Sequence, residues 1–381
     1  MQVRIETSGA IMTDAFPFTD ELGPAKIIQI HEPSIGLAAA LVVDNVARGP
    51  SIGGLRMAPD VSVSECFRLA RAMTLKNAAA GLAHGGGKSV LWGDPRMAVA
   101  RKEQLIRAFA HALRNETDYI FGPDMGTDET CMAWVRDEIG RAVGLPAEIG
   151  GIPLDELGAT GWGLKHATEV AARFCNLRIA GATIAVQGFG AVGKHAARFL
   201  VADGAKLVAA SDSRGTLVDR SGIDVAELIR IKDQGGSVCG YPKGEKLSVD
   251  AIVDVACDIW IPAARPDVIR EDNVARLQTK LVPQGANIPL SVGAERMLHE
   301  RGVTIVPDFI ANAGGVICAA MEYRGATQSR AFEAIADRIR ENTEAVLSDA
   351  ETRQIGAREA ALALATRRVK QAMGYRRFSI F

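Results

Sequence analysis

Two lysines beside a run of glycines are the first residues whose types and spacing suggest chemistry. Lys76 and Lys88 lie 12 residues apart in the segment MTLKNAAAGLAHGGGKSV, and the glycines at 85–87 directly precede Lys88. Glycines let a backbone approach a ligand closely, and a lysine ammonium can hold a small anion. Two lysines that converge in a cleft also repel each other, which favours the neutral amine that a general base requires. The alternative is a pair of solvated lysines near a loop.

The same segment does not fit a loop that binds nucleoside triphosphates. The motif G-x-x-x-x-G-K-[ST] needs a glycine where this chain has Leu82. It also needs the order strand, loop, helix, whereas here a helix is predicted before the glycines and a strand after them. We therefore exclude a triphosphate site and keep a small anionic substrate as the hypothesis for the lysines.

A second glycine pattern, G-x-G-x-x-G, occupies residues 188–193. It follows a predicted strand and opens a predicted helix, which is the context that a dinucleotide pyrophosphate site needs. In that reading Gly188 permits the tight turn, Gly190 lets the backbone approach the pyrophosphate, and Gly193 lets the helix pack closely on the sheet. The alternative is a glycine turn in a domain that binds no nucleotide. The residues predicted to contact the cofactor here are Gly188, Phe189, Gly190, Ala191, Val192 and Gly193.

Asp212 ends the next predicted strand, 19 residues after Gly193. A carboxylate at this position accepts a hydrogen bond from the ribose 2′-hydroxyl, which favours NAD. Arg214 lies two residues further on and could instead meet a 2′-phosphate. We therefore predict NAD as the cofactor, with NADP as the alternative.

The composition of the chain limits its class. A length of 381 residues suggests two domains at ~150 residues each. With 44 basic and 45 acidic residues the net charge is −1, so the chain lacks the basic field that would hold nucleic acid or an anionic membrane. No apolar run is long enough to span a bilayer, the start of the chain shows no signal peptide, and the six cysteines form no C-x-x-C pair. We therefore expect a cytoplasmic α/β protein without a metal site.

The elements that must position these residues change character along the chain. A Gly- and Pro-rich stretch, 144–158, is the predicted linker. Beyond it strands and helices alternate, which predicts a parallel, doubly wound sheet, and from about residue 330 the chain becomes purely helical. Strands are predicted over 25–31, 37–44, 119–122, 183–187, 206–211, 258–262, 280–284 and 304–306, and helices over 64–81, 97–114, 128–143, 160–174 and 191–202.

Six motifs then stand in a fixed order: GGLRM (53–57), MTLKNAAAGLAHGGGKSV (73–90), PDMGT (123–127), GGIPLDELGATGWG (150–163), QGFGAVG (187–193) and PDFIANAGGV (307–316). Together they resemble the glutamate/leucine/phenylalanine/valine dehydrogenase superfamily. The resemblance implies an α/β substrate domain over 1–155 and a doubly wound Rossmann NAD(P)-binding domain over 156–330. It also implies a C-terminal helical return, 331–381, that packs on the first domain, and a homo-oligomer.

The resemblance also implies roles for single residues in the oxidative deamination of an L-amino acid to a 2-oxo acid and ammonia. Lys88 corresponds to the catalytic lysine that activates water, and Asp124 to the carboxylate that exchanges protons with the amine. Lys76 corresponds to the lysine that binds the substrate α-carboxylate. The residues expected near the nicotinamide and the reacting carbon are Thr160 and Asn287, with Asn312 facing the same cleft.

The side-chain pocket that the resemblance implies is apolar. Glutamate enzymes of the family carry a lysine and a serine where this chain has Ile52 and Ala319, and neither of these pairs with a carboxylate. Burying that charge unpaired is costly, so a branched-chain or aromatic substrate is predicted, with Gly122 leaving room for a ring. The alternatives are a glutamate dehydrogenase and, less favoured, a non-catalytic amino-acid or nucleotide sensor. The predicted pocket residues are Ile52, Gly53, Gly122, Val316 and Ala319.

Overall fold

The computed structural model of the chain describes residues 18–376. These residues form two compact units. The first contains the described chain up to Ala78, then Leu82–Gly151 and the segment from Thr366 onward; the second contains Ala79–Gly81 and Ile152–Ala365. The change from one unit to the other at Gly151 falls within the Gly- and Pro-rich stretch 144–158.

A five-stranded sheet forms the framework of the first unit. Its order is β1-β2-β4-β3-β5; β1 and β2 pair antiparallel, as do β2 and β4, whereas β3 is parallel to both β4 and β5. Helices α2 and α3 pack together over one apolar cluster that includes Phe109 and Met132. The bounds are β1 Lys26–Glu32, β2 Leu37–Asn45, β3 Ser51–Ala58, α1 Val63–Ala79, β4 Gly85–Trp92, α2 Val99–Ala112, β5 Tyr119–Pro123 and α3 Glu129–Ile139.

The glycines before Lys88 lie inside β4 and are buried, so they are not a loop that faces a ligand. A Cβ atom at Gly85 would lie 1.7 Å from the carbonyl oxygen of Asn45, and one at Gly86 would lie 1.9 Å from the backbone nitrogen of Thr74. The glycines are therefore needed because neighbouring backbone crowds β4 on both faces. The sequence interpretation of a ligand-facing glycine loop was wrong for this reason.

The second unit is built on a seven-stranded sheet of order β12-β11-β10-β6-β7-β8-β9. The five strands from β12 to β7 are parallel, and β8 and β9 extend the sheet antiparallel. The parallel, doubly wound arrangement predicted from the alternation of strands and helices is confirmed. The bounds are α4 Leu154–Leu157, α5 Ala159–Phe174, β6 Thr183–Gln187, α6 Ala191–Ala202, β7 Lys206–Asp212, β8 Gly215–Val218, α7 Val225–Asp233, β9 Glu245–Leu247, β10 Ile259–Pro262, β11 Leu281–Pro283, α8 Val292–Glu300, β12 Thr304–Val306, α9 Asp308–Ala311 and α10 Gly314–Tyr323.

Two long helices, α11 (Gln328–Arg353) and α12 (Ala357–Tyr375), follow the last strand. Helix α11 packs on α5 and α10 of the second unit. The predicted return of residues 331–381 to the first domain therefore differs from the structure, because only the segment from Thr366 onward clusters with the first unit. The apolar face of α11 is buried locally against α5, which explains the difference. Within the described chain, none of the helices has the length and apolar character needed to cross a bilayer.

Candidate active site

The first unit brings Lys88 and Asp124 into direct contact. Lys88 is on β4, Asp124 directly follows β5, and β3 lies between these two strands. The Nζ atom of Lys88 is 2.9 Å from Oδ2 of Asp124, and the lysine side chain is only 7% exposed. This separation is within the range over which a positioned acid and base exchange a proton.

Gly54 on β3 packs directly against this pair. A Cβ atom at Gly54 would lie 2.7 Å from Cβ of Asp124 and 3.1 Å from Nζ of Lys88. Any side chain here would displace one of the two groups, so the second glycine of GGLRM is needed for the pair to form.

Arg56 is the residue of this cluster that the sequence analysis missed. Its Nε atom donates to Oδ2 of Asp124 at 2.9 Å, and its Nη1 atom donates to Oε1 of Glu65 at 2.6 Å. Successive side chains on a strand point to opposite faces, so Gly54 and Arg56 lie on the same face of β3. That alternation, applied to GGLRM, is the signal that would have revealed Arg56.

The electrostatics of the cluster keep Asp124 ionised. Burial alone would raise the pKa of the Asp124 carboxyl, but the charges and hydrogen bonds of Lys88 and Arg56 outweigh burial and hold that pKa below its usual value of 3.8. The helix that follows does not use this carboxylate, since the N-cap of α3 is Asp128, whose Oδ1 accepts from the backbone nitrogen of Cys131 at 3.0 Å. The carboxylate of Asp124 is thus available for chemistry.

Lys76, the lysine expected to bind the α-carboxylate, lies in the last turn of α1 and is partly buried. The neighbouring Asn77 is fully buried and its Nδ2 atom donates to the carbonyl of Gly85 at 2.7 Å. This bond anchors the end of the helix that carries Lys76 to the strand that carries Lys88.

The predicted pocket residues of the first unit are Ile52, Gly53 and Gly122, and their surroundings differ. Ile52 is buried on β3, and a Cβ atom at Gly53 would lie 1.8 Å from the carbonyl oxygen of Gly87, so Gly53 is required by strand packing. A Cβ atom at Gly122 would make an ordinary contact, 3.5 Å, with the buried side chain of Val143. An alanine would therefore fit at position 122 without a clash, and the role of Gly122 in leaving room for a substrate ring stays a prediction.

The second unit presents the dinucleotide pattern as a turn between β6 and α6. Gly188 has φ +93°, and a Cβ atom there would lie 2.4 Å from Cβ of Ala264. A Cβ atom at Gly193 would lie 2.1 Å from the carbonyl oxygen of Gly188, whereas one at Gly190 would meet no described atom within 4 Å. Open space above Gly190, beside the N-terminus of a helix that begins at Ala191, is the cradle that a pyrophosphate needs. The residues present therefore fit a dinucleotide.

Phe189 takes a different role from the rest of this turn. Its side chain is buried, and its backbone N–H donates to the carbonyl of Ser211 at 2.7 Å. The ring and this hydrogen bond join the turn to β7, and the cofactor contact at Phe189 stays a prediction. Ala191 and Val192 form the first turn of α6 with Gly193, where helix N–H groups have no partner within the helix.

Asp212 ends β7, as predicted, but its carboxylate already accepts four hydrogen bonds. Oδ2 accepts from Nζ of Lys232 at 2.8 Å and from the backbone nitrogen of Val238 at 2.9 Å. Oδ1 accepts from Oγ of Ser237 at 3.0 Å and from the backbone nitrogen of Arg214 at 2.9 Å. Burial opposes ionisation, but these donors lower the pKa of Asp212 to about 2. An ionised carboxylate has about four acceptor sites, so Asp212 is saturated before any ribose arrives.

The residues predicted near the nicotinamide assemble within the second unit from distant parts of the chain. The Nδ2 atom of Asn312 donates to Oδ1 of Asn287 at 2.9 Å. Thr160 lies in the first turn of α5, and a Cβ atom at Gly315 would lie 3.2 Å from its Oγ1 atom. The segments GATGWG (158–163), QGANIP (284–289) and IANAGGV (310–316) therefore meet at one place.

Val316 and Ala319, the two predicted pocket residues of the second unit, share the helix α10. Val316 is partly exposed and Ala319 is 8% exposed. Neither carries a charge, so neither pairs with a substrate carboxylate.

Comparison with known proteins identifies the family. Two family models match the chain: Glutamate/Leucine/Phenylalanine/Valine dehydrogenase over residues 150–377, and the Glu/Leu/Phe/Val dehydrogenase dimerisation domain over residues 24–141. The NADP(+)-dependent glutamate dehydrogenase of Pyrobaculum calidifontis is 41% identical over 301 residues, which cover 74% of this chain and 71% of that protein. The NAD-specific glutamate dehydrogenase of Staphylococcus aureus is 35% identical and covers 87% and 84% of the two chains.

Solved structures agree with this identification. The hetero-hexameric glutamate dehydrogenase of Thermus thermophilus, in a leucine-bound form, is similar with a TM-score of 0.81 and 28% identity over 93% of this chain and 90% of that chain. The L-tryptophan dehydrogenase of Nostoc punctiforme is similar with a TM-score of 0.72 and 25% identity over 92% and 97%. The chain therefore belongs to the Glutamate/Leucine/Phenylalanine/Valine dehydrogenase family and is an NAD(P)-dependent oxidoreductase that acts on the CH–NH₂ group of an amino acid.

Proposed function

We propose that the protein catalyses the reversible oxidative deamination of a hydrophobic L-amino acid to a 2-oxo acid and ammonia. The observation that carries the proposal is the 2.9 Å contact between Lys88 and Asp124, because the reaction needs two positioned proton-transfer groups. The hydrophobic substrate class rests on Ile52 and Ala319, which stand where a glutamate enzyme needs polar groups.

In this mechanism Asp124 takes a proton from the substrate ammonium, so that the Cα–N centre becomes electron-rich. A bound NAD or NADP supplies the hydride acceptor. Once Lys88 has released its own proton to solvent, its neutral amine removes a proton from the water that attacks the iminium carbon, and the resulting ammonium protonates the departing amine. Arg56 keeps the Asp124 carboxylate ionised and oriented, and Lys76 binds the α-carboxylate.

A glutamate dehydrogenase is the second candidate, and the relatives favour it. The curated relatives at 35–41% identity are named glutamate dehydrogenases. For glutamate to bind, a cation other than residues 52 and 319 has to meet its γ-carboxylate, since leaving that charge unpaired costs several kcal/mol.

Initial rates of NADH and NADPH formation on a panel of L-amino acids test the proposal. Leucine, valine or phenylalanine should exceed glutamate in kcat/KM by well over tenfold, because apolar side chains gain ~25 cal/mol per Å² of buried surface. Glutamate as the best substrate would overturn the hydrophobic assignment.

Lys88→Ala should lower kcat by ~10²–10⁴ while dinucleotide affinity is kept, and near-normal turnover would remove its proposed role.

Ile52→Lys makes the pocket assignment directly testable. If Ile52 faces the substrate side chain, the added cation should raise kcat/KM for glutamate relative to leucine by at least ~10-fold, or about 1.4 kcal/mol. Ile52→Met is the matched control, because methionine has a similar length and no charge. An equal response of both variants would exclude position 52 from the side-chain pocket.

The cofactor and assembly proposals follow the same evidence. We propose NAD as the preferred dinucleotide, because the ionised carboxylate of Asp212 at the end of β7 would repel a 2′-phosphate; NADP is the alternative, since both dinucleotides occur in the names of the relatives. A homo-oligomer is proposed from the match to a dimerisation domain over residues 24–141 and from the hexameric relative. Light scattering on the purified protein measures the assembly, and a monomer would contradict it.

A further inference from the structure

A buried ionic cluster lies beside the ends of β11 and β12 in the second unit. Both Nε and Nη2 of Arg358 donate to the carboxylate of Glu295 at 2.7 Å, and Nη2 is 2.9 Å from Oδ1 of Asp308. Gln284 joins the three: its Oε1 accepts from Arg358 at 2.9 Å and from the Asp308 backbone nitrogen at 3.1 Å, and its Nε2 donates to Glu295 at 2.6 Å. The two carboxylate side chains are 7% and 9% exposed. Two carboxylates this deeply buried need the guanidinium, so the cluster holds together as one unit.

Asp308 also reaches out of the cluster to a strained turn. Its Oδ2 atom accepts from the backbone nitrogen of Ile288 at 2.8 Å. Ile288 has φ +48°, a conformation that a β-branched residue adopts only when its surroundings impose it. Its side chain is 58% exposed and buries little apolar surface that would offset the strain. The hydrogen bond to Asp308, together with the bond from the Asp267 nitrogen to the Ile288 carbonyl at 2.9 Å, imposes this conformation.

The turn carries Asn287, one of the residues assigned to the nicotinamide end of the cofactor. Its backbone is fixed on one side by Ile288, and its side-chain oxygen accepts from Asn312 at 2.9 Å. With Oδ1 occupied in this way, the Nδ2 amide of the exposed Asn287 is left to face a ligand. Backbone and side chain of Asn287 are therefore positioned by two different groups.

We infer that Asp308, held by Arg358, is a positioning residue that fixes the Asn287–Ile288 turn for the dinucleotide and substrate. The inference rests on the proposed function in one respect, the assignment of Asn287 to the nicotinamide end. Asp308 touches no reacting atom in this scheme, and it acts through the backbone nitrogen of Ile288. Its sequence signal is faint, because residues 284, 295, 308 and 358 meet only in the folded unit.

Hydrogen exchange in the cofactor-free enzyme tests the structural half of the inference without using activity. In Asp308→Asn the peptide 284–291 should exchange at least ~10-fold faster than in the wild type, because the neutral amide is a weaker acceptor for the Ile288 N–H. Asp258→Asn is the matched control. Asp258 also accepts a backbone N–H, from Thr183 at 3.0 Å, and pairs with Lys280 at 2.9 Å, but it lies at the opposite ends of the strands. Unchanged exchange of peptide 284–291 in Asp308→Asn overturns the inference.

A double-mutant cycle with Asn287→Ala tests the functional half. If Asp308 acts through Asn287, Asp308→Asn should lower kcat by ~10–100-fold alone and by less than twofold in the Asn287→Ala background. The dissociation constant for NADH should change less than threefold, since the pyrophosphate turn is untouched. Losses that multiply across the cycle, or full kcat in folded Asp308→Asn, overturn the inference.

Arg358→Lys covers the case in which Asp308→Asn does not fold. This substitution keeps a cation beside Glu295 but loses the bidentate contact. It should therefore speed the exchange of peptide 284–291 and lower kcat, each by a smaller factor than Asp308→Asn does. Its failure to alter either the exchange of peptide 284–291 or kcat would count against the inference. An enzyme that turns over no amino acid would refute the proposed function instead, and the exchange result would still decide whether Asp308 holds the turn.

Discussion

At the scale of single residues, one carboxylate oxygen joins the candidate proton-transfer groups of the first unit. Oδ2 of Asp124 accepts from both Lys88 and Arg56, each at 2.9 Å. Two cations on one carboxylate oxygen keep the group ionised, and they hold it in one orientation. Lys88 has a chemical role of its own in the proposed reaction, whereas Arg56 acts only through the carboxylate.

Arg56→Met should therefore move the acid limb of activity. The pKa of Asp124 is held below 3.8 against burial by Lys88 and Arg56, so removing one cation raises that pKa. If turnover needs the ionised form, the acid limb of log(kcat/KM) should move to higher pH in Arg56→Met than in the wild type. Glu65→Gln is the control, since it removes only the outer partner of Arg56. An acid limb at the same pH in Arg56→Met and wild type would show that Arg56 does not tune Asp124.

In the second unit, Lys232 pairs with the buried carboxylate at the end of β7. It neutralises Asp212, the carboxylate expected to repel a 2′-phosphate, across 2.8 Å. Lys232→Ala should unmask that charge and raise the ratio of kcat/KM for NAD over NADP by at least ~10-fold, or about 1.4 kcal/mol. Lys206→Ala, at the start of the same strand, serves as the control. A ratio that does not change in Lys232→Ala would mean that Asp212 does not read the 2′-position.

At the scale of elements, two glycines from similar glycine-rich segments have opposite surroundings. Gly86 lies in β4 with the backbone of α1 pressed against it, whereas Gly190 faces open space at the start of α6. Only tertiary packing separates the two, because both belong to short glycine-rich segments.

A matched pair of alanine substitutions should separate these two roles. Gly86→Ala should destabilise the protein by at least ~1–3 kcal/mol, because its methyl would fall 1.9 Å from the Thr74 nitrogen. Gly190→Ala should leave the unfolding temperature within about 2 °C of wild type and weaken dinucleotide binding at least ~10-fold. Thermal unfolding and fluorescence titration with NADH measure both. The reverse pattern would show that the cradle has been assigned to the wrong turn.

The elements also show what sequence could predict. The buried strands β6, β7 and β12 and the helix α6 were predicted within one residue, because β-branched runs and a glycine turn mark them clearly. Strand β3 was missed: its GGLRM core carries two glycines, which weaken any strand signal. Arg56 was missed for the same reason, because its position on the face of Gly54 can be inferred only once β3 is recognised as a strand. The cluster of Arg358, Asp308 and Glu295 could not be predicted, because no local pattern relates residues so far apart.

At the scale of the whole molecule, the first unit depends on residues that follow the second. Helix α12 begins in the second unit, and its later part clusters with the first. There, Nη1 of Arg368 donates to the carbonyl of Ala78 at 3.2 Å, and Val369 is 1% exposed. Residues from both ends of the described chain therefore build one unit.

Val369→Asp should destabilise the first unit specifically. A charge at a buried site without a partner costs at least ~2 kcal/mol. Hydrogen exchange should accelerate in the peptide that contains β2 and remain slow in the one that contains β6. Lys370→Asp, at the neighbouring and half-exposed position, should change little, because a surface ion pair contributes only ~0–1 kcal/mol. Unchanged protection of β2 in Val369→Asp would show that the segment from Thr366 onward contributes little to the first unit.

The path of α12 also sets an order for folding during synthesis. Apart from three residues, the second unit is continuous from Ile152 to Ala365, so all of it has been translated before Thr366 is added. The first unit lacks part of its core until the segment after Thr366 leaves the ribosome. The core of the first unit is therefore completed only by the last segment to be translated, although Leu82–Gly151 of the same unit is made before the second unit begins at Ile152.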